Sequence, residues 1–293
     1  MNTTNNFEIV GLFAKGIKVL AATSAIGLAL VGGASAQSTL DKAKEDGAIR
    51  VGFANEAPYA FATPSGELTG EAAVVGKEIF SRLGIENVEG VLTEFGSLIP
   101  GLRAGRFDVI AAGMFITPER CAQIQFSEPS YGIGQALLVP EGNPENLVDY
   151  SSVADNSDLT LAVLAGAVEA GYAEDAGIDQ SQLMVLPDQA SLVSAVRSGR
   201  ANAAALTALS IKQMADANDG VESTEPFGEV AGNSVVGHGG FGFRPGDTEL
   251  YEAFNEELKN FVGTSEHIEL VTEFGFGEGF QPTKTTAELC AGE

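Results

Sequence analysis

The chain has 293 residues, enough for two compact lobes with their own cores, and its 44% hydrophobic content excludes a disordered chain. With 16 Lys and Arg against 40 Asp and Glu, the formal net charge is −24. A field of that sign excludes binding of nucleic acid or anionic lipid through general electrostatic attraction, and says little about a small ligand.

The first 36 residues stand apart. Lys15 and Lys18 precede an apolar run over residues 19–31, and Ala34-Ser35-Ala36 offers a small-x-small cleavage pattern. The stretch is too short for a membrane span and reads as a secretory signal cleaved near Ala36. No cysteine lies near that point, so no lipid anchor is expected there. Removal of Lys15, Lys18 and Glu8 with the leader leaves a charge of about −25. The expected product is exported, periplasmic and monomeric.

Residues 39–47 read as a short polar helix and 48–53 as the first strand. Gly66 and Gly70 punctuate a hairpin. Val74, Val75, Ile79 and Leu83 mark a helix over 71–83, and 88–95 reads as a second strand. Next comes FGSLIPGLRAGRFDVIAAGMFITPERCAQIQFSEPSY, residues 95–131. Ser97 is a candidate cap for a helix with Leu98, Ile99 and Leu102 on one face, and Gly105 its stop. Residues 107–112 read as a buried strand, and 113–116 leave the sheet. Thr117-Pro118-Glu119-Arg120 opens a second helix, with Thr as cap and Pro at the first position. Ligands of open α/β sheets sit outside the carboxyl ends of strands, and helix amino termini attract anions. Arg120 is therefore placed to hold a carboxylate by a bidentate pair. Taken alone, the tetrapeptide fits a surface ion pair at least as well.

Residues 134–140 exit as a strand, and Glu141-Gly142-Asn143-Pro144 breaks the pattern. A strand at 159–164, a helix at 166–176 and a strand at 183–186 follow. Residues 191–202 then repeat the grammar of residues 97–108 at a constant offset of 94, Ser191 on Ser97 and Arg200 on Arg106. Residues 203–206 match 109–112 as a strand, which implies two similar lobes. A return strand at 235–244 leads to helices at 248–262 and 266–274, assigned to the first lobe. The expected organisation is signal 1–36, first lobe 37–140 and 237–293, second lobe 141–236, with hinges near 139–142 and 233–239.

The run FGSLIPGL-AG-FDVIAAGM-ITPER followed by F-S-P-Y resembles the signature of solute-binding proteins of ABC importers, the polar-amino-acid-binding type. The likeness continues to about residue 280. It implies an α/β, two-lobed type II periplasmic binding protein fold, each lobe a small mixed sheet flanked by helices. The ligand would lie in the inter-lobe cleft, closed by hinge bending. It also implies ABC permease subunits in the inner membrane as partners. Arg120 would clamp a ligand carboxylate.

Glu56, Tyr59, Phe95, Gly113 and Phe115 join Arg120 at the strand ends. Each aromatic alone fits a packing role; together they make a box. The sequence departs from amino-acid binders twice: Phe115 replaces the usual Ser or Thr, and Ala208 is placed where an Asp pairs with the α-ammonium. A compact ammonium buried without a counter-charge costs several kcal/mol. Aromatic faces suit a delocalised or alkylated cation at about 0.5–2 kcal/mol each. The expected ligand is thus a zwitterionic compatible solute, and the resemblance is strongest to ectoine/hydroxyectoine binders. That resemblance implies that Glu56 accepts from a cyclic amidinium. Val168 and Glu169, at the start of a second-lobe helix, would contribute backbone N–H groups. Val168 stands where the family often has Thr. A polar amino-acid binder is the alternative, and a dehydratase on the same fold a more distant one. No cofactor, metal site or nucleic-acid contact is expected, since His238 and His267 neighbour no site residue in sequence. Cys121 and Cys290 would pair in an oxidising compartment and staple the tail to the first lobe; two free thiols are the alternative.

Overall fold

Two mixed sheets, each flanked by helices, organise residues 37–293, which a computed structural model describes. The signal peptide expected over residues 1–36 lies outside the described residues. In the first sheet Ala48–Phe53 runs parallel to Asn87–Leu92 and Val109–Phe115. Gly237–Phe243 closes the other side antiparallel, and Gln125–Phe126 and Tyr131–Ile133 pair with it in turn. Helices Glu71–Arg82 and Thr248–Phe261 pack on this sheet, and Ser265–Thr272 packs on Glu71–Arg82. Phe254 sits beneath them with Phe80, Phe241 and Phe243, ring centroids 4.8–5.3 Å away.

The second sheet runs Leu183–Leu186, Leu161–Leu164, Ala203–Thr207, Gln135–Pro140, Val221–Ser223. Its first three strands are parallel, Gln135–Pro140 runs against them, and Val221–Ser223, antiparallel to that strand, runs with the first three. Helices Gln189–Arg197 and Ala208–Asp216 pack on it. The offset of 94 is visible in the backbone. Gly105 and Gly199 both stop their helices at φ 70°. Asp108 accepts from Arg50 N at 3.4 Å, and Asn202, at the matching position, accepts from Thr160 N at 2.9 Å. Each side chain thus fixes where its strand meets its neighbour.

Several boundaries differ from the sequence reading. Residues 135–140 belong to the second sheet, so the chain first crosses at Gly134 and not at 139–142. Residues 134–140 read as one strand leaving the first lobe, and the turn signal at 141–144 only ends that strand after the crossing. The strand expected to leave the sheet at Gly113 continues to Phe115, because Gly239 pairs with Phe115. The Gly237 Cα lies so close to the Phe115 ring that a Cβ there would collide with it. Phe95 lies past the end of its strand, in a short 3-10 turn, Phe95–Ser97. Ser97 itself makes no capping bond. The helix expected from 166 begins at Glu169.

Cys121 and Cys290 are bonded, Cα atoms 5.7 Å apart, across a sequence separation of 169. No helix among the described residues is long and apolar enough to cross a membrane.

Candidate ligand-binding cleft

Four segments of the first lobe and two of the second meet at one point. The loop after Ala48–Phe53 brings Glu56. Phe95 comes from the 3-10 turn, Gly113 and Phe115 from the end of the central strand, and Arg120 from helix Pro118–Cys121. Opposite them stand Ala167, Val168 and Glu169, with Leu206 and Thr207 at the end of their strand. The space between is about 20 Å³, room for about one water. Admitting a ligand requires the lobes to part.

The lobes touch through backbone. Gly166, at φ 79°, is so close to Gly96 that a Cβ on it would lie 2.6 Å from the Gly96 Cα. Gln189 Nε2 donates to Ala57 O at 3.0 Å. Ser210 Oγ lies 2.9 Å from Ala57 O and 3.2 Å from Glu56 Oε1, so its one proton can serve either.

Arg120 is fixed from both ends. Thr117 Oγ1 accepts from its backbone N–H at 3.3 Å, the capping bond that Thr-Pro at a helix start anticipates. Its guanidinium donates to Phe115 O at 2.7 Å and across the cleft to Gly166 O at 3.0 Å, and lies 5.6 Å from the centre of the Phe95 ring. Burial pulls its pKa below the ordinary value, opposed most by Glu169. An arginine remains charged there.

The two carboxylates shift the other way. Burial, then the Glu169 charge, pushes Glu56 up to about 8; Ser210 and Arg120 hold it back. Burial pushes Glu169 up to about 7, against its own backbone N–H, Arg120 and the Val168 N–H. Cavities that desolvate a carboxyl on each wall, with one guanidinium between them, favour a bound carboxylate and a bound cation together.

The structure gathers Glu56, Phe95, Gly113, Phe115, Arg120, Val168 and Glu169 around this cavity. Tyr59 is not in its lining. It is buried beneath Gly113, stacked on Tyr131 at 5.2 Å and edge-on to Phe276 at 5.6 Å. Tyr131 in turn donates its hydroxyl to Gly113 O at 2.7 Å. The aromatic layer thus supports the cleft floor, and the faces lining it are Phe95 and Phe115. Ala208 is also misplaced by the sequence reading: it borders a separate groove with Leu209 and Lys212, while Thr207 faces the cleft. The repeat carried that information, because the offset of 94 sets Thr207 on Gly113 and Ala208 on Met114. Leu206 flanks Thr207. Ala167 and Ser210 had no such signal, since loop and helix geometry alone bring them in.

A profile of related sequences matches residues 49–278. This chain belongs to the bacterial extracellular solute-binding proteins, family 3. Its fold is the type II periplasmic binding protein fold. A probable amino-acid ABC transporter periplasmic-binding protein, y4tE of Sinorhizobium fredii, is 36% identical over 281 residues, covering 94% of this chain and 93% of that one. The lysine/arginine/ornithine-binding periplasmic protein of Escherichia coli is 27% identical over 224 residues, 72% of this chain and 80% of that one. Among solved structures, EhuB in complex with hydroxyectoine superposes with a TM-score of 0.80 at 34% identity, covering 88% of this chain and all (100%) of that one. An ancestral amino acid-binding protein, a precursor of cyclohexadienyl dehydratase, gives 0.70 at 28% identity, covering 81% and 99%.

Proposed function

We propose that this family member captures a zwitterionic compatible solute, ectoine or hydroxyectoine, in the periplasm and delivers it to the permease subunits of an ABC importer. One observation carries the reading: Arg120, Glu56 and the rings of Phe95 and Phe115 line a single cavity between the lobes. The guanidinium takes the carboxylate, and the rings and Glu56 take the delocalised cation. The likeness to a hydroxyectoine complex over the whole of that chain supports it. Binding and transport, not turnover, is the role proposed.

A polar amino-acid ligand is the second reading, and one observation favours it. Glu169 brings to the second-lobe wall a carboxylate that the sequence reading, looking to Ala208, did not credit. A compact ammonium has a counter-charge there after all. Calorimetry on the purified protein separates the two. Ectoine and hydroxyectoine are expected to bind, with arginine, glutamine, proline and glycine betaine at least tenfold weaker. Tight binding of an amino acid with none of ectoine hands the site to the second reading.

A further inference from the structure

The ionisable side chains lining the cavity, among the described residues, are Arg120, Glu56 and Glu169. Fully ionised, they sum to one negative charge, and all three side chains are buried. Tyr150 and Tyr172 lie beside Glu169, and Tyr59 beside Glu56. Burial holds all three phenols neutral, so they do not alter the balance. Ser210 and Gln135 complete the surroundings and are uncharged.

We propose that Glu169 sets the net charge of the ligand that the closed cleft accepts: a zwitterion closes it with one proton held between Glu56 and Glu169, whereas a ligand of net charge +1 closes it with none. The inference rests on a carboxylate-bearing ligand occupying this cleft, as proposed above. A zwitterion brings no net charge, so it leaves the excess negative charge in place. An uncompensated charge in a dry site is expensive, and a proton is the cheapest remedy. A carboxylate ligand with two cationic groups supplies the missing charge itself.

Two observations besides the charge count point to the same pair. Glu169 Oε2 is buried and makes no hydrogen bond among the described residues, although it borders the cavity. It is therefore placed to receive either a proton or a ligand donor. Gln135, the first residue of the strand after the lobe crossing, holds the other oxygen of Glu169. Its amide nitrogen donates to Glu169 Oε1 at 3.1 Å and to Leu206 O at 3.2 Å, which leaves Oε2 as the atom without a partner. The raised pKa values of Glu56 and Glu169 agree with one proton being held near neutral pH.

The test is calorimetry from pH 6 to 9 with ectoine as the neutral probe and arginine as the net +1 probe, each in buffers of different ionisation heat. For wild type, ectoine affinity should fall as pH rises, by up to about tenfold per unit, with net uptake of as much as one proton. Glu169→Gln should flatten that profile and weaken arginine at least tenfold. Glu56→Gln should flatten it too, with lower affinity. An ectoine affinity unchanged from pH 6 to 9 in wild type, or the same slope in Glu169→Gln, overturns the inference. Should ectoine not bind while arginine does, the ligand reading fails separately. The charge rule then stands if Glu169→Gln costs arginine tenfold and falls if it does not.

Discussion

Arg120 shows how much one residue can carry and how its position was legible. The motif Thr-Pro-Glu-Arg fixes a helix start, a strand end lies just before it, and the guanidinium borders the cleft between the lobes. What the sequence could not say is that the same group also ties the lobes together through Gly166 O. Arg120→Ala should therefore cost about 2–5 kcal/mol of ligand binding, the scale of breaking a desolvated charged pair. Calorimetry against ectoine checks it, and wild-type affinity in the variant would remove the clamp. Burial of acids was less legible, since Glu71 reads as an ordinary first-turn residue. It is buried, accepts from Ser130 Oγ at 2.8 Å, and is pushed up to about 7. With Glu56 and Glu169 it retains protons in the folded state that the unfolded chain releases above about 4.5. Stability should thus be greatest near pH 5, fall as pH rises to about 8, and level off beyond. Calorimetric melting of the ligand-free protein should show that fall, shallower in Glu71→Gln. A Tm rising between pH 5 and 8 would contradict these burial shifts.

Regular elements were readable where local chemistry sets them, and less so where a partner strand does. The sequence bounds of Ala48–Phe53 and Leu183–Leu186 need only composition and flanking turns. The extension of the central strand to Phe115 depends on the glycines of Gly237–Phe243, more than a hundred residues away. The start of helix Glu169–Asp175 depends on Gly166 turning with φ 79° against Gly96. That contact yields a prediction about closure. Gly166→Ala forces an L side chain into the left-handed region, about 1–2 kcal/mol, and sets its Cβ 2.6 Å from the Gly96 Cα. Gly84→Ala is the control, at φ 81° with nothing within 4 Å. Both should lower Tm by a few degrees, but Gly166→Ala alone should weaken ectoine at least tenfold and keep the scattering radius large with ligand present. Equal ectoine affinity in the two variants would mean that the glycine contact does not govern closure.

At the scale of the whole molecule, the internal repeat announced two lobes, and the return helices were assigned to the first of them, where Phe254 meets Phe241 and Phe243. The position of the first crossing escaped because Gly134 reads as the start of a strand, and the stronger turn signal at residues 141–144 lies one strand further on. The tail escaped too, beyond its cysteine. After helix Ser265–Thr272 it lays Phe276 on Tyr59 and Tyr131, the layer beneath Gly113. Thr283 N donates to His238 Nε2 at 3.3 Å, and Thr286 donates from N to Glu128 Oε2 at 2.9 Å and from Oγ1 to Ser127 O at 2.6 Å. The chain then ends in helix Thr286–Ala291, bonded through Cys290 to Cys121, the neighbour of Arg120. Removing the bond leaves those polar contacts in place and releases the unfolded chain from a loop closed across 169 positions. Loop entropy puts the loss at no more than about 5 kcal/mol. At about 2–4 °C per kcal/mol for a protein of this size, Cys290→Ser should lower Tm by roughly 5–15 °C. Reductant should lower wild type to the same value and leave the variant unmoved. If native, unreduced protein reacts with two equivalents of thiol reagent, or if reductant shifts both proteins alike, the tail is held by its noncovalent contacts and not by the bridge.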